Sequence, residues 1–218
     1  MANSENKNPF TTNEVFGQPW AYDAGFSIET VEPSSVVRLA LQMRLIPIYG
    51  KVLDLGCGKN PRNAIFLAHQ HYCTVDAIDL EQPDFPDNLP LATRKEIVFR
   101  QGSVLEFEYA KGTYQVAILA RLIQYLSPQE MESLFSKVGE ALLSDGIICL
   151  SYTAQGGILN KSHEYNITTF SHPIDKVKEL LRQKGLAVTF LQQGTNQSTH
   201  VPHTGEPALT YDLIAQKS

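Results

Sequence analysis

The stretch KVLDLGCGKNPRNAIFLAH, Lys51 to His69, decides the fold. KVLDLG, Lys51 to Gly56, reads as a buried strand, Gly56 and Gly58 break it at a turn, and Ala64, Ile65, Leu67 and Ala68 then recur at helical spacing between Arg62 and about His71. The same order repeats downstream. CTVDAIDL (Cys73 to Leu80), Ile97 to Gln101, YQVAILA (Tyr114 to Ala120) and GIICLSY (Gly146 to Tyr152) read as four more strands. Between the last two, Pro128 to about Leu143 is predicted helical, with Ser127 as N-cap, Pro128 at the first helical position and Glu130 three residues after the cap. A further helix is predicted from about Pro173 to Lys184, behind Ser171 and stopped by Gly185. Two strands close the chain, Leu186 to Gln192 and Ala208 to Ala215. Because a parallel pair of strands must be joined by a crossover, this alternation implies an α/β fold: a mostly parallel, doubly wound sheet with helices on both faces. VAILA is apolar on both sides, as a strand covered on both faces requires.

Outside this core the text changes. Residues 1–13 are polar and aperiodic and are expected to form a flexible tail. Phe16, Trp20, Tyr22 and Phe26 follow among Gly17, Pro19 and Gly25, a mixture that favours irregular structure. They read equally as packing for the first helix, Pro33 to about Leu45, or as a lid, so residues 14–45 are expected to form a lid and helix ahead of a ligand-binding domain at 46–218. The roughly 15 residues between the last two strands exceed a tight hairpin turn and are expected to be either disordered or used.

Composition narrows the function. The chain has 218 residues, a length that suits one domain, and carries 18 Lys and Arg against 23 Asp and Glu, for a net charge of −5. That balance offers no footprint for a polyanion, so nucleic acid and anionic membrane surfaces are not expected partners. Cys57, Cys73 and Cys149 are too scattered for a disulfide framework or a zinc site and fit a reducing, cytoplasmic setting. No apolar run approaches the roughly 20 residues that span a bilayer, and the start MANSENKNPF lacks the apolar centre of a signal peptide. No metal is expected: His69 and His71 have no third ligand at suitable spacing.

The chemistry sits at the glycine turn. Asp54 ends the first strand, and Gly56 and Gly58, with Cys57 between them, place bare backbone where a ligand can approach. Asp79 closes the second strand near the offset at which an acidic side chain accepts from ribose hydroxyls, which points to an adenosine-containing ligand. A dinucleotide site wants a third Gly in the turn, where Pro61 stands, so pyrophosphate is disfavoured. Cys57 has no neighbouring base to make it a nucleophile and reads as small-residue filler.

Val52, Leu53, Asp54, Leu55, Gly56, Cys57 and Gly58 resemble the first motif of the class I S-adenosylmethionine-dependent methyltransferases: two hydrophobic residues, Asp, a hydrophobic residue, Gly, any residue, Gly. The resemblance runs from about Lys51 to the C-terminus. LLSDGIICLSY resembles the family's turn and fifth strand, and TTFSHPIDKVKELLRQKGLAV its last helix and following glycine. It implies a Rossmann-like, seven-stranded sheet with an antiparallel last strand and a small-molecule methyl acceptor. S-Adenosylmethionine would be the cofactor and S-adenosylhomocysteine its product. Under the resemblance Asp54, Gly56 and Gly58 cradle the methionine moiety, and Asp79 takes the ribose with Leu80 on the adenine. Gly102, Ser103 and Val104 meet the adenine edge, where Ser103 replaces the usual acidic residue. Ala120 lies beside the transferred methyl, and Tyr22 belongs to the candidate lid.

Acceptor-side candidates are Arg121, Gln124 and Tyr125 after the fourth strand, which also read as core or surface pairing, and Tyr152 on the fifth. His163 and His200, in the loops on the substrate side, are the candidate bases, because imidazole titrates near neutral pH. A narrower resemblance is to the tellurite-resistance type of thiol and chalcogen methyltransferase. It is carried by Arg62 and Asn63 after the turn, His200, and Leu213 to Lys217. Two other classes share the turn: a non-catalytic cofactor-binding protein, and a nicotinamide-dependent oxidoreductase, which would need the missing glycine and a Tyr-x-x-x-Lys pair. ALARLIQ after the fourth strand also lacks the Asn or Asp followed by two prolines and an aromatic residue that marks the superfamily's nucleic-acid amino-methylating enzymes.

Overall fold

A computed structural model describes residues 28–154, 157–161, 165–200 and 207–218. In chain order its elements are α1 (Ser35–Gln42), β1 (Lys51–Leu55), α2 (Arg62–Gln70), β2 (Thr74–Asp79), α3 (Leu91–Lys95), β3 (Ile97–Gln101), β4 (Tyr114–Ala120), α4 (Pro128–Ala141), β5 (Leu142–Thr153), β6 (Gly157–Lys161), β7 (Tyr165–Thr169), α5 (Ile174–Gln183), β8 (Leu186–His200) and β9 (Pro207–Lys217). Single 3₁₀ turns occupy Ile28–Thr30 and Ile123–Tyr125.

The main sheet has seven strands in the order β3-β2-β1-β4-β5-β9-β8. β1 pairs in parallel with β2 and β4, β2 with β3, and β4 with β5; β9 runs antiparallel to both β5 and β8. The architecture is the expected seven-stranded, Rossmann-like one. Each face buries its own core. Leu53, Leu55, Leu119, Leu150 and Leu213 face α4 and α5, whereas Val52, Val75, Val116, Ile118 and Ile214 face α1 and α2. α4 shows how locally the helices are written: Ser127 Oγ accepts from the Glu130 N–H at 3.3 Å while Glu130 Oε2 accepts from the Ser127 N–H at 2.7 Å. This reciprocal box leaves Leu134, Phe135 and Val138 on the buried side, each contributing about 1.5–3 kcal/mol through burial.

Three sequence expectations change. β5 begins at Leu142, which pairs with Tyr114 before the register shifts. A small antiparallel hairpin, β6–β7, stands where no strand was expected. The supposed loop from Gly194 to Pro207 is mostly strand, because β8 continues to His200 and β9 begins at Pro207. Only residues 201–206 connect them, and those lie outside the described residues. Among the described residues no helix is long and apolar enough to cross a membrane.

Candidate functional site

The C-terminal ends of β1, β2, β3 and β4 lie side by side, so the turns that follow them share one edge of the sheet. After β1 the chain turns through Gly56 (φ +67°) and Gly58 (φ +74°), backbone conformations that L side chains rarely adopt. The turn is fastened to β2. Ile78 O accepts from the Gly56 N–H at 2.8 Å, and Asp79 Oδ2 accepts from the Gly58 N–H at the same distance. Asp79 Oδ1 accepts from the Glu81 N–H at 3.0 Å, so this carboxylate organises both turns. A Cβ on Gly58 would meet nothing nearer than Asn60 N at 4.0 Å; the space over the turn is open. Leu80, beside Asp79, exposes 69% of its surface, an apolar platform at the strand end.

Beneath the turn lies Asp54, 1% exposed. The Asn63 side chain and the Ala64 N–H donate to its carboxylate, yet Oδ2 has no hydrogen-bond partner. Burial, and then the neighbouring Asp79 charge, push its carboxyl up to about 7. A buried, unpartnered carboxylate oxygen under an open glycine turn suits a ligand that brings a positively charged donor. Burial and the charges of Asp54 and Asp79 drive the Cys57 thiol far above its ordinary range, so it is no thiolate.

After β3, the Gly102 N–H donates to Asp79 O at 2.8 Å, and Ser103 Oγ accepts from the Leu105 N–H at 3.2 Å. The Val104 side chain is buried in the core, and its carbonyl takes the Tyr109 hydroxyl. Lys137 on α4 closes this turn by donating to Leu105 O at 2.8 Å and Phe107 O at 3.2 Å. After β4, Arg121 adopts φ +61° and its Nη1 donates to Thr153 Oγ1 at 2.8 Å. Gln124, 2% exposed, accepts from the Thr153 N–H through Oε1 at 2.9 Å.

Residues 52–146 match the model of the methyltransferase domain family. That stretch is similar to a methyltransferase domain. Solved structures share the fold. A protein from Methanosarcina mazei described as a SAM-dependent methyltransferase superposes with a TM-score of 0.64 at 13% identity, over 81% of this chain and 96% of that one. The 1,6-didemethyltoxoflavin-N1-methyltransferase of Burkholderia thailandensis, solved with its substrate and S-adenosylhomocysteine, gives 0.60 at 22% identity, over 87% and 79%. Geranyl diphosphate methyltransferase, solved with GPP and sinefungin, gives 0.63 at 12%, over 84% and 76%. No curated protein matches the chain in sequence. By fold, then, the chain is similar to S-adenosylmethionine-dependent methyltransferases.

The fold brings Asp54, Gly56, Cys57, Gly58, Asp79, Leu80, Gly102, Ser103 and Val104 to one edge of the sheet, and Ala120 ends β4 on the same edge. The expected acceptor residues divide. Arg121 and Tyr125 are partly exposed beside Ala120. Gln124 and Tyr152, also expected at the acceptor, are buried. Gln124 is spent on the backbone of β5, and Tyr152 packs against Tyr211 with ring centroids 5.6 Å apart. Tyr22 and His163 lie outside the described residues; the His200 backbone pairs with Pro207 in the β8–β9 ladder.

Two supporting residues escaped the sequence reading. His172 is 2% exposed, and its Nε2 faces both Ile123 O and Leu126 O at 3.0 Å, pinning the turn after β4. Burial holds its pKa down, so the neutral ring donates there. Lys137 is the other, and on a helix face it reads like any solvated lysine. Only His172, beside a helix-opening proline, carried a local signal.

Proposed function

We propose that the chain transfers a methyl group from S-adenosylmethionine to a small-molecule acceptor. The observation that carries this reading is the buried, partnerless Oδ2 of Asp54 beneath the open turn at Gly58. Asp54, Gly56, Cys57 and Gly58 would hold the methionine portion, Asp79 the ribose hydroxyls, and Leu80, Gly102, Ser103 and Val104 the adenine. The bound cofactor supplies a methyl group already activated on a sulfonium. The protein therefore has to align the acceptor and exclude water, and needs a base only for an acceptor that arrives protonated. His163 and His200 are the proposed bases, Arg121 and Tyr125 the proposed acceptor contacts, and Tyr22 part of a lid.

The net charge of −5 supports a small acceptor over nucleic acid. So do the β6–β7 hairpin, which packs on the turn after β4, and the extension of β8 and β9 past the end of β5. Arg62, Asn63 and Leu213 to Lys217 put thiols and chalcogen oxyanions first among acceptors, and the cysteine usage supports a cytoplasmic setting. Calorimetry with S-adenosylmethionine and with NAD, followed by a screen of thiols, chalcogen oxyanions, phenols and amines for S-adenosylhomocysteine release, tests the proposal. S-Adenosylmethionine binding with turnover on one class is expected. Binding of NAD alone overturns it, and cofactor binding without turnover on any acceptor leaves a binding protein.

A further inference from the structure

Three elements meet behind the glycine turn through a single side chain. Asn63, 6% exposed in the first turn of α2, donates to the Asp54 carboxylate at the end of β1. Its Oδ1 accepts from the Ser34 N–H at 2.8 Å, at the start of α1. The residues leading into α1 also touch the far end of α2, where Glu29 lies 3.3 Å from His69 Nε2 and 3.2 Å from Gln70 Nε2. The arm formed by residues 28–34 thus lies along the helix that follows the turn and is held at both ends. Ser34 is 2% exposed, and its Oγ is buried without a partner, so the Asn63 contact is the polar anchor of this junction.

We propose that Asn63 is a positioning residue that couples occupancy of the glycine turn to the anchoring of residues 28–42 on the domain. The coupling rests on the reading that the turn takes S-adenosylmethionine. A carboxamide that donates to a carboxylate is polarised by it. When Asp54 is ionised, the bond from Asn63 is charge-assisted, and the opposite end of the amide becomes a better acceptor for the Ser34 N–H. A cation at Oδ2 favours the ionised form and so tightens the whole chain of bonds. By linkage, the anchored arm must favour the cofactor equally. Besides Asn63, the groups facing Asp54 are Asp79 from β2, Arg62 from α2 and the Cys57 thiol in the turn. Of the groups around Asp54, Asn63 is the one that also accepts from the Ser34 N–H at the start of α1.

The test reads hydrogen exchange at the Ser34 amide and the pH dependence of S-adenosylhomocysteine affinity. In the unaltered chain, saturating S-adenosylhomocysteine should slow Ser34 exchange by roughly fivefold or more. Ser34→Pro removes the arm's donor at a residue whose φ of −59° a proline accepts. It should lower affinity severalfold and, by the same linkage, move the pH midpoint upward by less than the Asn63 variants do. Asn63→Ala removes the donor to Asp54 and should shift that midpoint to higher pH, which a merely structural role would not do. Should Asn63→Ala fail to fold, Asn63→Asp keeps an acceptor for Ser34, withdraws the donor and adds a like charge, and should shift the midpoint the same way. Ser34 exchange that ignores bound S-adenosylhomocysteine, or a midpoint unmoved by both Asn63 variants, overturns the coupling while leaving the cofactor reading intact. Absence of S-adenosylhomocysteine binding in the unaltered chain overturns both.

Discussion

Asp54 and Asp79 stand at the ends of neighbouring strands and meet opposite environments. Asp54 is buried and its pKa raised to about 7, so the native state holds a proton that the unfolded chain releases. Its contribution to stability is therefore fully present below about pH 4 and is lost as pH rises through about 7. A cationic ligand at Oδ2 reverses that preference. Affinity for S-adenosylhomocysteine should accordingly fall as pH drops below about 7, by up to about tenfold per pH unit, and calorimetry across that range in the unaltered chain and in Asp54→Asn checks it. The variant should show a flat profile. Asp79→Ala should weaken S-adenosylhomocysteine binding at least about tenfold, since charge-assisted bonds contribute roughly 1.5–3 kcal/mol. It should also lower the melting temperature of the free protein, because the same carboxylate takes the Gly58 and Glu81 N–H groups. The two glycines separate binding from folding. A Cβ at Gly58 meets only open space, so Gly58→Ala should cost the free protein about 1–2 kcal/mol for its backbone and should lose the ligand. At Gly56 the new Cβ would sit 2.9 Å from Leu122 Cδ1, so Gly56→Ala should show the larger drop in melting temperature.

At the scale of elements, legibility followed how locally each one is specified. The cap of α4 is written in Ser127, Pro128 and Glu130, and the structure contains it as read. β4 is a run of residues buried on both faces, so its bounds were plain as well. β8 beyond Gln192 was not legible, because Gln193, Gly194, Thr195 and Asn196 have little intrinsic strand preference. They are extended because β9 offers a ladder from Tyr211 to Ala208, a long-range cause that no window of sequence contains. The turn after β3 shows the same limit. Its carbonyls at Leu105 and Phe107 are held by Lys137, some thirty residues away in sequence. Lys137→Met keeps the aliphatic stem and removes the donor. It should speed exchange of residues 103–109 and weaken S-adenosylhomocysteine severalfold with little change in global melting temperature; equal exchange in both proteins would make the lysine a surface residue only.

In the whole molecule, the repeating strand and helix grammar carried the parallel half of the sheet, because each crossover forces the next strand to run the same way. The insertion of β9 between β5 and β8 depends instead on pairings that span the chain, and it divides the sheet's second half into two parts with different duties. β9 pairs with β5 only from Thr210 to Gln216, and that stretch buries Leu213, Ile214 and Ala215 in the two cores. Beyond Thr210 the described ladder runs between β8 and β9, out to His200 and Pro207, past the last residue of β5, with the Ala154 N–H to Leu209 O bond beside it. Because β8 runs parallel to β5, this extension rises at the same edge as the glycine turn. If it walls the acceptor site, it should be dispensable for folding and for the cofactor but not for turnover. Replacing residues 197–207 with an Asn-Gly turn keeps the Asn196–Ala208 pair and the Ala154 N–H to Leu209 O bond of 2.9 Å. The shortened protein should melt close to the unaltered chain and bind S-adenosylhomocysteine within about twofold, yet lose about a hundredfold or more in methyl transfer, the scale of a lost general base. His200→Ala and His200→Gln then divide the loss. A deficit in both single variants as large as in the shortened hairpin assigns it to the imidazole, whereas normal rates in both assign it to the wall the hairpin makes. Full turnover in the shortened protein would place the acceptor elsewhere on the rim, with the turn after β4 and the β6–β7 hairpin its remaining walls.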